Sequence, residues 1–474
     1  MIDSECIHKS GQIIDDYTCV LNQTDIRANA NKYYIMQAID NNNVYVLYLR
    51  WGRIGNKGTS KYSNYTYKED CLAAYEKQFK NKTNNFWANR SQFCKKTGKY
   101  FLSEVECIKE EPKTQPKPKS NKISVSIKRK SLLNKRIQYL VSLISNKTMM
   151  NNTLIDLNID VTRMPLGKLK ASQILKAKAT LNKIRNNMGN ITELSSEYYT
   201  YIPCDCGRNI PPLINSIEII DKYSSILDEL SNIIVANKIQ TCDKTLHVLD
   251  NVYNGLNTQI QSLDKSSDMW KYLSMYIDNT HAHTHNCKIT IEDIYSVERN
   301  GKYEKYNAIA EKIGNRQLLI HGSRLSNWCS ILKSGLMLDP SKLGVHVTGK
   351  MFGYGIYWAM SSTKSGNYCG INKGQKGMIC MAIAEVAVGN ELEKLTSDYG
   401  ISDTILKKSG HDSVWGRGQY TPSSYTTVDN VKIPTGKLVP SNKSTVLRYD
   451  EKIVYNTDQF CIKYLVVAHM ENLD

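Results

Sequence analysis

The spacing of apolar positions changes character several times along this chain of 474 residues. Near its start, Tyr33–Ile39 and Val44–Arg50 are short runs of β-branched, aromatic and aliphatic residues, separated by Asp40, Asn41, Asn42 and Asn43. That pattern predicts two strands joined by a turn. Lys68–Lys82 then shifts to helical spacing, with Leu72, Tyr75 and Phe79 on one face. The apolar signal fades between Lys109 and Arg136, where ten Lys or Arg stand against two Glu and Pro112, Pro116 and Pro118 recur. Such composition predicts an extended, solvated spacer. Lys128, Arg129 and Lys130 form a basic run suited to nuclear import or phosphate contact, and equally to a plain spacer.

Helical spacing returns after the spacer. Leu133, Ile137, Leu140, Val141 and Ile144 share a face, as do Ile174, Leu175, Leu181 and Ile184. The same spacing runs on from Thr245 to Ile260 through Leu246, Leu249 and Leu256. Pro165 and Gly167 interrupt the helices, and Pro203–Pro212 reads as a long loop. From about residue 250 short apolar runs take over: Leu318–Ile320, Met378–Val388, Ile453–Tyr455 and Ile462–Val467, with glycine-rich turns between them. They predict strands of a substantial sheet. The fold class is therefore α+β and multidomain: a small mixed domain at residues 1–106, a basic linker at 107–130, an all-α bundle at 131–249, and an α+β domain at 250–474 whose sheet is rich in antiparallel pairs.

Composition sharpens this picture in two respects. The net charge of +17 and a pI near 9.1 point to a polyanionic partner, nucleic acid before membrane. No apolar stretch approaches the length of a membrane span; Met378–Val388 is broken by Glu385. The thirteen cysteines are scattered, and no apolar leader opens the sequence, so free thiols in a reducing compartment are expected. Cys204 and Cys206 have no second Cys or His pair nearby at ligand spacing, and read as plain thiols. His281, His283 and His285 alternate, so a strand would place all three on one face, as a zinc site requires. No metal is expected.

The chemistry concentrates late in the chain. Met351–Ala359 reads Met-Phe-Gly-Tyr-Gly-Ile-Tyr-Trp-Ala, thirty residues after His321-Gly322-Ser323-Arg324, with Lys364-Ser365-Gly366-Asn367-Tyr368 just beyond. Glycines let a backbone approach a flat ligand. Tyr357 and Tyr368 offer aromatic faces and Ser365 a hydroxyl. Together they suit a planar ring bearing an amide. The strand, GxGxxG and helix context of a dinucleotide-binding Rossmann fold is missing.

These segments resemble the catalytic domain of the poly(ADP-ribose) polymerase family. The matching pieces are Leu318–Arg324, Met351–Ala359, Lys364–Cys369 and Tyr449–Tyr455, together with Asn279–Asn286. Leu21–Ile26, Asn31–Tyr34, Arg50–Gly55, Lys82–Trp87 and Gly98–Tyr100 resemble the family's WGR domain, and Met164–Leu169 the hallmark of its helical regulatory domain. Almost the whole chain is covered, in the order of the short DNA-dependent members.

The resemblance implies NAD as substrate, cleaved to nicotinamide. Gly322 and Ser365 would hold the carboxamide, with Tyr368 stacked on the ring and Tyr357 flanking it. His321 would bind the adenine-side ribose, Ser323 would add a contact, and Glu451 would be the catalytic carboxylate. The His321, Tyr357 and Glu451 set favours polymer growth over single transfer. Trp51 and Arg53 are the implied DNA contacts, and the helical bundle an autoinhibitory cap. The implied partners are strand breaks in DNA, 5′-phosphorylated, and protein acceptors including the chain itself, with room for an accessory factor completing the active site. No membrane partner is implied, and the location is nuclear. Two other readings are a DNA-end-binding scaffold with a weak catalytic domain and a mono-ADP-ribosyltransferase. The chain departs from the family at Met337 and Tyr354, where basic residues are common; the first bears on the adenosine end of NAD, the second on the acceptor.

Overall fold

A computed structural model of the chain describes residues 2–42, 44–103, 130–156, 170–240, 246–338, 351–371 and 374–473. Most of the basic spacer, the Met164–Leu169 hallmark with its Pro165 and Gly167, and the loop at 339–350 lie outside the described residues. The chain divides into two units. One comprises residues 1–127 and 150–237, the other residues 128–149 and 238–474.

In the first unit, five antiparallel strands form one sheet in the order Thr59–Tyr65, Val44–Arg53, Ala30–Asn41, Gln12–Asp25, Phe101–Ser103. The two strands expected from sequence are its centre, longer than their apolar runs suggested. Helix Lys68–Thr83 begins with Glu69 and Asp70 and ends with Lys80 and Lys82, matching its dipole, and stops where Asn84 turns left-handed at φ 57°. It buries Cys71, Tyr75 and Phe79 against Met36, Leu47 and Leu49 of the sheet. Helices Ala171–Arg185 and Ile191–Tyr201 follow in the same unit. The latter is tied to the sheet where Ser196 and Thr200 hydroxyls accept from the Ile26 and Thr24 amides. Leu175, placed on the apolar face by its spacing, is instead 66% exposed.

In the second unit, helix Lys135–Ile144 is fastened to the sheet by Arg136, whose guanidinium grips both carboxylate oxygens of Asp293 and donates to the Leu263 carbonyl. Among the described residues the main sheet has eleven strands, nearly all antiparallel; the parallel pairs there are Glu391–Lys394 with Ser413–Gly416 and Val431–Pro434 with Arg316–Ser323. The expected runs are all there, as Arg316–Ser323, Lys376–Ala387, Glu451–Val454 and Phe460–Asn472. Glu385, which breaks the longest apolar run, is buried and paired with Arg316 and Tyr306.

One helical expectation fails. The Thr245–Ile260 pattern yields helix Val248–Gly255 only, and Ile260 lies in strand Thr258–Ser262. Asn257 takes a left-handed φ of 54°, ending the helix, and Ile260 then pairs with Val297. Sheet pairing outweighed helical spacing here. The helix also runs across the expected boundary at residue 250.

Candidate active site

Strands Glu451–Val454, Ile356–Ala359 and Arg316–Ser323 are neighbours in the main sheet. Ala359 pairs with Ile320 on one side and with Glu451 on the other, so three distant pieces of sequence meet in one row. Pairing between the last two strands holds at that single position. Beyond it His321 and Gly322 open onto a cavity of about 250 Å³, whose walls also include Tyr357, Ser365, Tyr368 and Glu451.

Each side chain is held from behind. His321 Nδ1 lies 3.0 Å from the Tyr357 carbonyl oxygen; since a carbonyl only accepts, Nδ1 carries the proton. In the neutral ring Nε2 is then an acceptor. The His321 ring also meets Trp358 edge-on at 5.5 Å. Tyr357 donates its hydroxyl to the Gly353 carbonyl at 2.9 Å and accepts from the Phe352 amide at 3.0 Å. Burial pushes its phenol well above the usual range, only partly offset by the Phe352 amide, and the Glu451 charge adds to the rise. The ring therefore stays neutral at physiological pH. Ser365 is 2% exposed and donates to the Ile320 carbonyl at 3.1 Å. Tyr368 is the loosest member, 64% exposed.

Gly322 fits because it has no side chain. A Cβ there would stand 1.8 Å from the Ser365 carbonyl oxygen. Strand and helix thus touch backbone to backbone at the cavity wall.

Glu451 is sheltered and paired. Lys364 Nζ lies 2.8 Å from Glu451 Oε1 and donates to the Tyr449 carbonyl at 2.9 Å. The two side chains are 15% and 12% exposed. Lys364 opens the Lys364–Tyr368 segment, and nothing in its local sequence marks it as the partner of Glu451. Lys364→Met is expected to lower kcat for nicotinamide release by roughly 10- to 100-fold with KM for NAD little changed, since the ammonium holds Glu451 rather than a ring pocket. A steady-state titration of NAD checks this.

Ser323 is not brought to the cavity wall; its hydroxyl accepts from Asn327 Nδ2 at 3.0 Å. Met337 lies on the cavity wall, 72% exposed, and Leu336 lines it too. Tyr354 is buried. The alternating histidines do not share a strand face, because residues 280–286 form a turn. His281 Nε2 meets the Cys287 carbonyl, His285 Nδ1 the Thr363 hydroxyl, and the His283 ring packs on Tyr420. Among the described residues no cluster of three or more His, Cys, Asp or Glu is placed to hold a metal, and every described cysteine is a free thiol.

In the other unit, Trp51 is half-buried and stacks on Tyr34 at 5.7 Å with a 14° interplanar angle. Lys82 lies over the Tyr34 ring at 4.5 Å and Lys32 over Tyr100 at 5.5 Å, forming one basic, aromatic face. Burial lowers the Lys82 pKa, with Lys32 and Lys99 adding repulsion. Arg53 points elsewhere. Its guanidinium donates to the carbonyls of Gly207, Asn209 and Asn29 and to the Asn29 side chain, at 2.5 to 2.9 Å.

Comparison with known proteins gives the following. Residues 17–94 match the WGR domain, residues 131–253 the poly(ADP-ribose) polymerase regulatory domain, and residues 267–470 the poly(ADP-ribose) polymerase catalytic domain. The chain is 33% identical over 485 residues to human protein mono-ADP-ribosyltransferase PARP3, covering 97% of this chain and 89% of that one. It is 33% identical over 491 residues to human poly [ADP-ribose] polymerase 2, covering 98% and 82%. Poly [ADP-ribose] polymerase of Drosophila melanogaster is 35% identical over 470 residues, and there the chain spans 45% of the relative's length.

Proposed function

Because this chain belongs to the poly(ADP-ribose) polymerase family and is an NAD-dependent ADP-ribosyltransferase, we propose that DNA strand breaks activate it and that it extends ADP-ribose into polymer on protein acceptors, itself included. The observation that carries this reading is the meeting of His321, Gly322, Tyr357, Ser365, Tyr368 and Glu451 around one cavity.

The chemistry follows from those neighbours. Cleavage of the bond between ribose C1′ and the nicotinamide nitrogen sends its electron pair to the ring, which leaves neutral, while positive charge develops on the ribose. The Gly322 backbone and the Ser365 hydroxyl fix the carboxamide. Tyr368 stacks on the ring and Tyr357, held neutral, flanks it. His321 Nε2 accepts from the adenine-side ribose. Glu451 hydrogen-bonds the nicotinamide-side ribose, faces the developing charge, and draws the proton of the attacking hydroxyl. Ser323 has no direct role in this account. Elongation needs this carboxylate because a ribose hydroxyl is a weak nucleophile.

DNA recognition falls to Trp51 with Tyr34, Tyr100 and the lysines around them. A base or sugar at a break end stacks on the half-buried Trp51 ring, and phosphates relieve the crowding of Lys32, Lys82 and Lys99. Arg53 acts indirectly by holding the 207–209 loop in place. The helices at 131–249 serve as an autoinhibitory cap, a two-state element that DNA binding biases toward the open form. The site of action is the nucleus.

The test is nicotinamide release and product length with and without nicked, 5′-phosphorylated DNA. DNA-independent turnover sinks the activation; products of one unit only support the single-transfer reading. Trp51→Ala is expected to weaken DNA binding by about 5- to 100-fold, the value of one base–aromatic stack. Lys82→Met should lower the slope of log affinity against log salt by about one. Binding isotherms at several salt concentrations read out both, and unchanged slopes would move the interface elsewhere.

A further inference from the structure

Behind Glu451, on the other side of the sheet, lies a group of charges that the proposed reaction does not use. Alternation along strand Glu451–Val454 points Lys452 away from the Glu451 face. Lys452 is 1% exposed. Its Nζ lies 2.5 Å from Glu391 Oε1 and 3.4 Å from the centre of the Trp415 ring. Trp415 pairs directly with Lys452 across the ladder, and with Glu393 on its other side, so Glu391, Glu393, Trp415 and Lys452 share one face. Arg417 also lies over the Trp415 ring at 4.0 Å, near both Glu393 and Asp450. Asp450, itself 1% exposed, accepts from the Gly418 amide at 2.6 Å and the Thr421 hydroxyl at 2.8 Å. Trp415-Gly-Arg417 repeats the tripeptide Trp51-Gly-Arg53, and here it lines this group of charges.

We propose that Lys452 is a positioning residue for Glu451: its ammonium, clamped between Glu391 and Trp415, fixes the register of the short strand that presents the carboxylate to the cavity. The inference rests on the proposed role of Glu451. The physical reason is the side-chain period of two. A slip of one residue in this four-residue strand would turn Glu451 out of the cavity and Lys452 into it. A buried ammonium matched to a buried carboxylate makes that slip costly, because both charges would lose their partner in a low-dielectric interior. Asp450 supplies the same restraint on the residue before Glu451. Backbone hydrogen bonds alone do not distinguish one register from the next; these side chains do.

The clamp is also sensitive to pH. Burial brings the Lys452 pKa down to about 8, with Glu391 and then Asp450 opposing the fall and Arg417 adding to it. Near and above pH 8 the ammonium loses its proton and Glu391 its counter-charge. Turnover is therefore present in full below that value and declines as the pH rises through it.

The test uses the full chain on nicked DNA, with nicotinamide release measured across pH 6.5 to about 9.5. Lys452→Met is expected to lower kcat on the order of 10-fold, leave KM for NAD within about twofold, and lose the alkaline decline near pH 8. Lys452→Arg, charged throughout this range, should recover part of kcat and stay active to higher pH. Glu391→Gln removes the partner that holds the ammonium's pKa up, so its alkaline decline should move to lower pH. Because Lys452→Met puts an unpaired Glu391 in the interior, thermal melts accompany each variant. If that variant does not fold, Glu391→Gln decides. A Lys452→Met enzyme with wild-type kcat and an unchanged alkaline limb, or a Glu391→Gln limb that does not move, overturns the inference while leaving the proposed function standing. A wild-type chain that releases no nicotinamide on nicked DNA sinks both.

Discussion

Glu451→Gln enzyme is expected to build no chain beyond the first ADP-ribose unit and to release nicotinamide at least about 100-fold more slowly than wild type. The amide matches the carboxylate in shape, so the cavity keeps its volume and NAD its place. What is lost is charge. Among the described residues that line the cavity Glu451 is the one carboxylate, and it is only 12% exposed, where a charge acts with little screening from water. The developing positive charge on ribose loses its counterpart, and the acceptor hydroxyl loses the group that draws its proton. Lys364 then stands against a neutral amide and keeps only the Tyr449 carbonyl. Resolving products on a gel separates the two losses: single transfer fails partially and elongation completely. A full-length ladder from the variant would remove Glu451 from the mechanism.

Gly322→Ala is the second large effect. The added methyl would meet the Ser365 carbonyl oxygen at 1.8 Å and its carbon at 2.7 Å, and neither neighbour is a flexible side chain. The strand that bears Gly322 is laddered from Arg316 to Ser323 against Lys376–Ala387, so it yields little. The helix Ser362–Gly366 must give way instead. That breaks the Ser365 hydroxyl's bond to the Ile320 carbonyl and widens the ring pocket by the same movement. Overpacking of this kind destabilises by about 1–3 kcal/mol. A displacement of the order of 1 Å in the pocket costs about 100-fold in turnover. Because the pocket binds the ground state, KM for NAD should rise as well, unlike in Lys364→Met. A melt and an NAD titration together check this, with Ser365→Ala as the comparison that removes the hydroxyl without adding bulk. Wild-type KM and stability in Gly322→Ala would place the carboxamide elsewhere.

Much of the site was legible because its chemistry depends on residue types with few alternatives. A flat ring in a tight cleft needs glycine, aromatic faces and a small hydroxyl, and Met351–Ala359 and Lys364–Tyr368 hold all three within a short span. Ser323 is less legible for the opposite reason. A serine next to a glycine is a candidate for any polar contact, and here its hydroxyl accepts from Asn327. Arg53 could equally have turned to DNA or inward; here it makes four contacts with neighbouring chain atoms. The Lys364–Glu451 pair joins residues more than eighty positions apart, and no local pattern announces it.

By itself the sequence determined the succession of elements, the basic character and the residue types of the cleft, because periodicity, charge and side-chain chemistry are local properties. Its helical reading of Ile260 failed because apolar spacing over two turns is compatible with either element until a partner strand is present, and Val297 supplied one. The row Ile320, Ala359, Glu451 and the charge clamp behind it were decided only in three dimensions. Strand order and register are long-range choices: they depend on which backbones meet, and a shift of one residue exchanges the two faces of a strand without altering any local preference.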